Sequence, residues 1–132
     1  MIKLAGCIIK DGQGRVLLLH RNNGKHEHWE IPGGKIDEGE SAEATAVREI
    51  KEELDVEVVV ERKFGEKEFT MEDGQQMHHT WFNARIVSGE PKVAEPQTFD
   101  DLRYFSVEEM VEIRDQLSHS AKNLLAVIKK QN

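Results

Sequence analysis

Three glutamates, Glu49, Glu52 and Glu53, stand at i, i+3 and i+4 of a stretch, Ala42 to Leu54, that contains neither glycine nor proline. In a helix that spacing confines them to an arc of about 100°, so all three carboxylates project from one face. Like charges crowded in this way repel one another unless something compensates. Divalent cations that prefer hard oxygen ligands, Mg2+ or Mn2+, are the natural compensation. Taken alone, the helix also fits a plainer description, a solvated acidic face on which Arg48 and Glu52 form an ordinary i,i+4 pair.

The elements that would position these groups are legible around them. Ser41 is a good N-cap, because its hydroxyl can accept from an otherwise unpaired backbone N–H. Val47, Ile50 and Leu54 form a stripe that should face the core, beside the carboxylates rather than opposite them. The glutamates are therefore expected at the edge of the fold, partly sheltered from water. Upstream, Ile2 to Lys10 and Val16 to His20 read as a strand hairpin around Asp11-Gly12-Gln13-Gly14, and Trp29-Glu30-Ile31 as a short extended piece stopped by Pro32-Gly33-Gly34. Downstream, strand character runs from Val56 to Phe69, turns at Met71-Glu72-Asp73-Gly74 and returns from Met77 to Val87. A short strand follows at Leu102 to Phe105. Ser106-Val107-Glu108-Glu109 has the capping-box pattern, and a last helix from about Ser118 to Lys130 turns Leu124, Leu125 and Ile128 inward. The expected fold is α+β, a mixed sheet flanked by helices in an α/β/α layered arrangement.

Composition narrows the function classes. The 132 residues fit one domain, 1–132, with no repeat or linker to divide it. Charges interrupt every apolar stretch before it could span a membrane, and the first residues do not resemble a signal peptide, which favours the cytoplasm. The one cysteine, Cys7, lies in an apolar run and reads as a small buried hydrophobe. A net charge of −7 argues against stable binding to nucleic acid or to an anionic membrane. It does not exclude a phosphate-bearing small molecule if cations bridge the two sets of oxygens.

Gly34 is followed after five residues by Glu40, and after seven more by Arg48-Glu49-Ile50-Lys51-Glu52-Glu53-Leu54-Asp55-Val56. This pattern resembles the Nudix box of the Nudix hydrolases at every fixed position but one. Trp29 to Lys35 is similar to the segment that leads into the box. The departure is Asp55, where the family usually has glycine in a left-handed helix end; Asp tolerates that region at some cost.

The resemblance implies the Nudix fold and roles for individual residues. Glu52 and Glu53 match the principal metal-binding glutamates, and the carbonyl of Gly33 a backbone ligand. Glu49 matches a position that binds metal or serves as general base. Arg48 would hold and orient the carboxylates, Glu40 would support the loop-helix geometry, and Gly34 and Gly39 would serve the loop. Glu95 lies in a loop where some members place another metal ligand or base, although an ordinary exposed glutamate fits equally. Lys35 could touch a phosphate; Arg21 and His28 could meet the nucleotide. His78 and His79, adjacent on a strand, face opposite sides and cannot chelate together. Trp29, Phe69, Trp81 and Phe82 read as core.

The implied reaction is hydrolysis of a diphosphate linkage with Mg2+ or Mn2+, by a monomer or homodimer acting on a nucleotide-like small molecule. Markers of the ADP-ribose and dinucleoside polyphosphate branches are missing, because Met71, Glu72, Asp73 and Gly74 occupy those positions. By elimination the chain is closest to the nucleoside triphosphate pyrophosphohydrolases, including the type acting on oxidised dGTP. An ADP-ribose or nucleotide-sugar pyrophosphatase and a non-catalytic nucleotide-binding module are the alternatives.

Overall fold

The computed structural model describes residues 1–131, the side chains of residues 129–131 apart. The strands are β1 (Ile2–Ile9), β2 (Val16–Asn22), β3 (Glu27–Glu30), β4 (Gly33–Lys35), β5 (Glu57–Thr70), β6 (Gln76–Ser88) and β7 (Phe99–Phe105). The helices are α1 (Ala42–Leu54), α2 (Val107–Glu112) and α3 (His119–Gln131), with a single 3-10 turn at Arg114–Gln116.

The strands form two sheets, ordered β4-β1-β6-β5 and β3-β2-β7. The first is mixed, since β1 runs parallel to β6 while its other pairings are antiparallel. Here the structure departs from the expected hairpin. β1 and β2 lie in different sheets, joined only by a bridge between Lys10 and Val16. The reason is that both edges of each strand are already taken, β1 by β4 and β6, β2 by β3 and β7. Gly33–Lys35, expected to end a strand, is itself a short strand opposite Leu4–Gly6. The last strand also begins earlier than expected, at Phe99.

Continuous burial along Ala5–Ile9 and Val16–Leu19 shows that both faces of these strands are covered. Alternate side chains sort into two cores. Ala5, Cys7, Ile9, Leu17 and Leu19 pack with Ala46, Ile50 and Leu54 of α1. Ile8, Val16 and Leu18 pack on the other side with Trp81, Met110 and Leu124, the last two from α2 and α3. The result is the α/β/α layering. Fully burying Ile50 and Leu54 contributes about 1.5–3 kcal/mol each, which clamps α1 onto the sheets.

Both ends of α1 are fixed. Ser41 Oγ accepts from the Ala44 N–H at 3.1 Å. At the other end Asp55 has φ 55° and ψ 41°, the left-handed conformation usually given to glycine. The Asp55 carboxylate lies 3.3 Å from both Lys51 Nζ and Lys92 Nζ, and these partners hold its pKa below the ordinary value. Two competing terms therefore act at this residue, a backbone cost and an exposed charge pairing that salt screens. Asp55→Gly is expected to raise the melting midpoint more at 1 M than at low salt, because only the lysine pairing is lost to screening. A midpoint below wild type at high salt would show that Asp55 contributes something beyond these pairs.

Candidate functional site

The carboxylates of α1 are graded by depth. Glu53 is 4% exposed, Glu49 is half-buried, and the Glu52 side chain is 47% exposed. The gradient follows from the helix face that α1 buries, Ala46, Ile50, Glu53 and Leu54, so Glu53 enters the fold with the apolar stripe.

Two glycines seat the two inner carboxylates. The Gly33 N–H donates to Glu53 Oε1 at 3.0 Å. At Gly34 an added Cβ would lie 2.4 Å from the Glu49 carboxyl carbon, so a side chain there would push the Glu49 carboxylate out of its present place. Gly33 itself is pressed against β1, where a Cβ would come within 2.3 Å of the Ala5 carbonyl oxygen. The Gly-Gly pair thus fits a flat strand edge beneath α1.

Arg48 joins the loop to the helix. Its guanidinium donates twice to Glu40, through Nε at 2.9 Å and Nη2 at 3.0 Å, and its Nη1 reaches Glu49 at 3.1 Å and Glu52 at 3.2 Å. Thr45 Oγ1 also donates to Glu40, and Arg48 with Thr45 draws the Glu40 pKa down to about 2. Arg48 thus ties Glu40 of the preceding loop to Glu49 and Glu52 of the helix.

Glu95 is brought to the cluster by the end of α1. The Lys92 N–H donates to the Leu54 carbonyl at 3.1 Å and the Ala94 N–H to the Glu53 carbonyl at 3.0 Å, satisfying carbonyls that the helix leaves free. This lacing sets Glu95 among the charges that raise the pKa of both Glu49 and Glu53. Gly39 occupies an exposed turn and Lys35 is exposed.

A further carboxylate was not singled out in the sequence. Glu30, on β3, accepts from Arg21 Nε at 2.6 Å, from Arg21 Nη2 at 3.1 Å and pairs with His28 Nε2 at 2.9 Å. Burial acts to raise its pKa, but His28 and Arg21 outweigh burial and hold it below the ordinary value. The contact comes from the pairing of β2 with β3, in which Arg21 and His28 are register partners and Glu30 is the diagonal neighbour of Arg21 on the same face, a pairing that no local sequence pattern records.

Electrostatically, the site is short of positive charge. Glu53 is raised well above a normal carboxylate, first by burial, then by Glu30, against the opposing Gly33 hydrogen bond. Glu49 is raised by burial and by Glu52. Among the described residues no three His, Cys, Asp or Glu side chains converge as a ready-made cage, because Glu52 and Glu49 turn toward Arg48 and Glu53 toward Gly33. The donors nevertheless suit a divalent cation, being several carboxylates around one locus that share a single arginine, the outermost of them exposed.

A cavity of about 260 Å3 opens beside Glu30, Gly33 and Gly34. Ile31, Phe69 and Met77 supply apolar wall, and Ser118, His119 and Ser120 at the start of α3 close the far side. Arg21 and His28 also line it. Phe69, read as core, is half-buried at this wall with its ring stacked on His119, whereas Trp29, Trp81 and Phe82 are buried. His79 is buried and His78 faces Glu66 and Glu68, on opposite sides of β6.

Residues 3–127 match the family model described as the NUDIX domain. The chain is 42% identical over 52 residues to an RNA pyrophosphohydrolase of Sphingopyxis alaskensis, covering 39% of this chain and 33% of that protein. It is 39% identical over 61 residues to a putative 8-oxo-dGTP diphosphatase of Bacillus subtilis, covering 46% and 40%. These matches span well under half the length of either relative. Among solved structures, a MutT NUDIX hydrolase from Burkholderia pseudomallei superposes with a TM-score of 0.80 at 28% identity, covering 96% of this chain and 97% of that one.

The raised pKa of Glu53 has a consequence for stability. Folded Glu53 holds its proton more tightly than unfolded Glu53, so stability falls as pH rises from about 4.3 through the folded value. Glu53→Gln keeps an oxygen to accept from Gly33 and carries no charge. In metal-free buffer the variant is expected to melt above wild type at pH 7, with the difference closing below about pH 4. A variant less stable at every pH would contradict the assignment.

Proposed function

The chain belongs to the NUDIX domain family, and from that premise we propose that it hydrolyses a diphosphate linkage in a nucleotide, as a divalent-metal-dependent nucleoside triphosphate pyrophosphohydrolase. The observation that carries the reading is the group of mutually repelling carboxylates, Glu49, Glu53 and Glu95, beside a cavity sized for part of a small molecule. The matched relatives, one named for RNA pyrophosphate removal and one for 8-oxo-dGTP, support the reaction class. No helix among the described residues is long and apolar enough to cross a membrane.

In this reading Glu52, Glu53 and the Gly33 carbonyl hold the metal, with Glu95 as an auxiliary ligand. When bound, Mg2+ or Mn2+ would neutralise phosphate charge and acidify a water molecule. The protein's own contribution is positional. Gly33 fixes the Glu53 carboxylate, and Arg48 keeps Glu49 and Glu52 at hand until charge compensation arrives. Glu49 serves as general base, taking a proton from the attacking water as it approaches phosphorus in line. Its raised pKa suits that task, and its mount is rigid, one helical turn from the ligands and seated over Gly34. The nucleoside part occupies the cavity between β3 and the start of α3.

A panel of nucleoside triphosphates, nucleotide sugars and dinucleotides, read by product chromatography, tests the proposal. Mg2+- or Mn2+-dependent cleavage of a triphosphate to monophosphate and pyrophosphate, abolished by EDTA, is expected. Turnover in metal-free buffer, confirmed by elemental analysis, would overturn the metal role, and exclusive cleavage of another substrate class would overturn the substrate. Loss of the base lowers kcat by about 10²–10⁴-fold. Glu49→Gln is expected to do this and to flatten the acid limb of the pH profile, while Glu95→Gln mainly raises the metal requirement. The reverse pattern would move the base to the loop.

A further inference from the structure

β3 and the residue before it read His26-Glu27-His28-Trp29-Glu30. Strand alternation sends His26, His28 and Glu30 to one face, while Glu27 turns to the other, its carboxylate 3.8 Å from His20 Nε2. The His26 and His28 rings stand side by side, 6.2 Å between centroids and 38° between planes. A metal bound through one nitrogen of each ring, at about 2.0–2.1 Å, sits about 3.2 Å from either centroid, so two chelating rings lie within about 6.4 Å of each other. The pair meets that limit as it stands. A tetrahedral angle at the metal needs about 5.2 Å, and the exposed His26 supplies the approach by rotating its side chain.

Each histidine is anchored from behind. His28 Nε2 lies 2.9 Å from Glu30 Oε1, and the same carboxylate accepts from Arg21 Nε and Nη2. A carboxylate held by a guanidinium is ionised and only accepts, so His28 carries its proton on Nε2 and, in the neutral ring, keeps Nδ1 as a lone pair. A carboxylate behind the far ring nitrogen is the usual companion of a metal-binding histidine, because it fixes the tautomer and makes the free nitrogen more basic. His26 is held through its backbone, where Asn23 Oδ1 accepts from the Lys25 and His26 N–H groups at 3.0 Å each. Arg21, the register partner of His28, has its charge met by Glu30 and its guanidinium over the Phe99 ring, 4.9 Å from the centroid. It therefore sets no uncompensated cation against the pair.

We propose that His26 and His28 chelate a divalent transition metal, Zn2+, Ni2+ or Cu2+, at a site separate from the carboxylate cluster. Imidazole nitrogen suits these ions, whereas Mg2+ takes oxygen ligands and is left to the carboxylates. Two protein nitrogens leave the rest of the coordination shell to water, or to a ligand in the cavity that His28 lines. Glu30 is a positioning residue that holds the His28 ring and its tautomer. The site neither needs nor supports the hydrolase reading.

The test is a Zn2+ titration of tag-free, chelator-stripped protein held in excess Mg2+, which occupies the carboxylates. It is read by calorimetry and by nitrogen-15 NMR of the histidine rings. One equivalent of Zn2+ is expected to bind and to shift the ring nitrogens of His26 and His28 together, His28 through Nδ1. His28→Gln, and His26→Gln, which leaves the Glu30 contacts in place, are each expected to weaken binding by at least about tenfold, since even an outer partner of a metal ligand is worth about 10–100-fold. His78→Gln removes another histidine flanked by carboxylates and is expected to leave binding unchanged. Absence of binding in excess Mg2+, wild-type affinity in both His26→Gln and His28→Gln, or Zn2+ shifts confined to other histidines would each overturn the proposal. Nucleotide hydrolysis, assayed separately with Mg2+ alone, keeps the two claims apart, because its loss or presence leaves the Zn2+ titration unaffected.

Discussion

Glu53 is carried out of water by the same helix face that packs Ala46, Ile50 and Leu54, and there it meets Glu30, Glu49 and Glu95. An unpaired charge in such a place costs several kcal/mol. Most of what surrounds the site reads as a response to that cost. Gly33 donates a backbone N–H, Gly34 gives up a side chain so that Glu49 can stand close, and Arg48 gathers Glu49 and Glu52 from outside while anchored on Glu40. Arg21 and His28 hold Glu30 in its charged form, so its repulsion adds to the burial that Glu53 already suffers. A fold that needed only stability would place an apolar residue at 53. Retaining the carboxylate is understandable if the protein's task is to bring negative charge and divalent cations together.

The rest of the architecture keeps that crowd from relaxing. Each inner strand is covered on both faces, so α1 cannot shift without opening one core, and its two ends are held by Ser41 and by the left-handed turn at Asp55. The segment after β6 bonds back to the Glu53 and Leu54 carbonyls, so Glu95 follows the helix rather than an independent loop. Position and charge are thus set by backbone and packing, while the only freely adjustable group of the helix trio is the exposed Glu52.

Much of this was legible in the sequence because it is local. The helix from Ala42 to Leu54, its Ser41 cap, the left-handed Asp55 and the capping box at Ser106 depend on neighbours within a few positions, and all appear as expected. The face shared by Glu49, Glu52 and Glu53 follows from helical geometry alone. What failed was pairing. β1 and β2 looked like a hairpin because they are adjacent and strand-like, but their partners come from β6 and β7, whose competition for the same edges no local pattern records. For the same reason Glu30 escaped notice, as did the hydrogen bond from the Gly33 N–H to Glu53. The contact between His79 and Ser120 joins residues 41 positions apart, within reach only after the sheets form.

The central claim, that this carboxylate cluster is where divalent cations act, is tested most directly by anomalous diffraction from crystals grown with Mn2+ and a non-hydrolysable triphosphate analogue. The account predicts an anomalous peak within ligand distance, about 2.0–2.6 Å, of carboxylate oxygens of Glu52 and Glu53, with the analogue's phosphates against it. Manganese bound elsewhere while these carboxylates keep their contacts to Arg48 and Gly33 would contradict it.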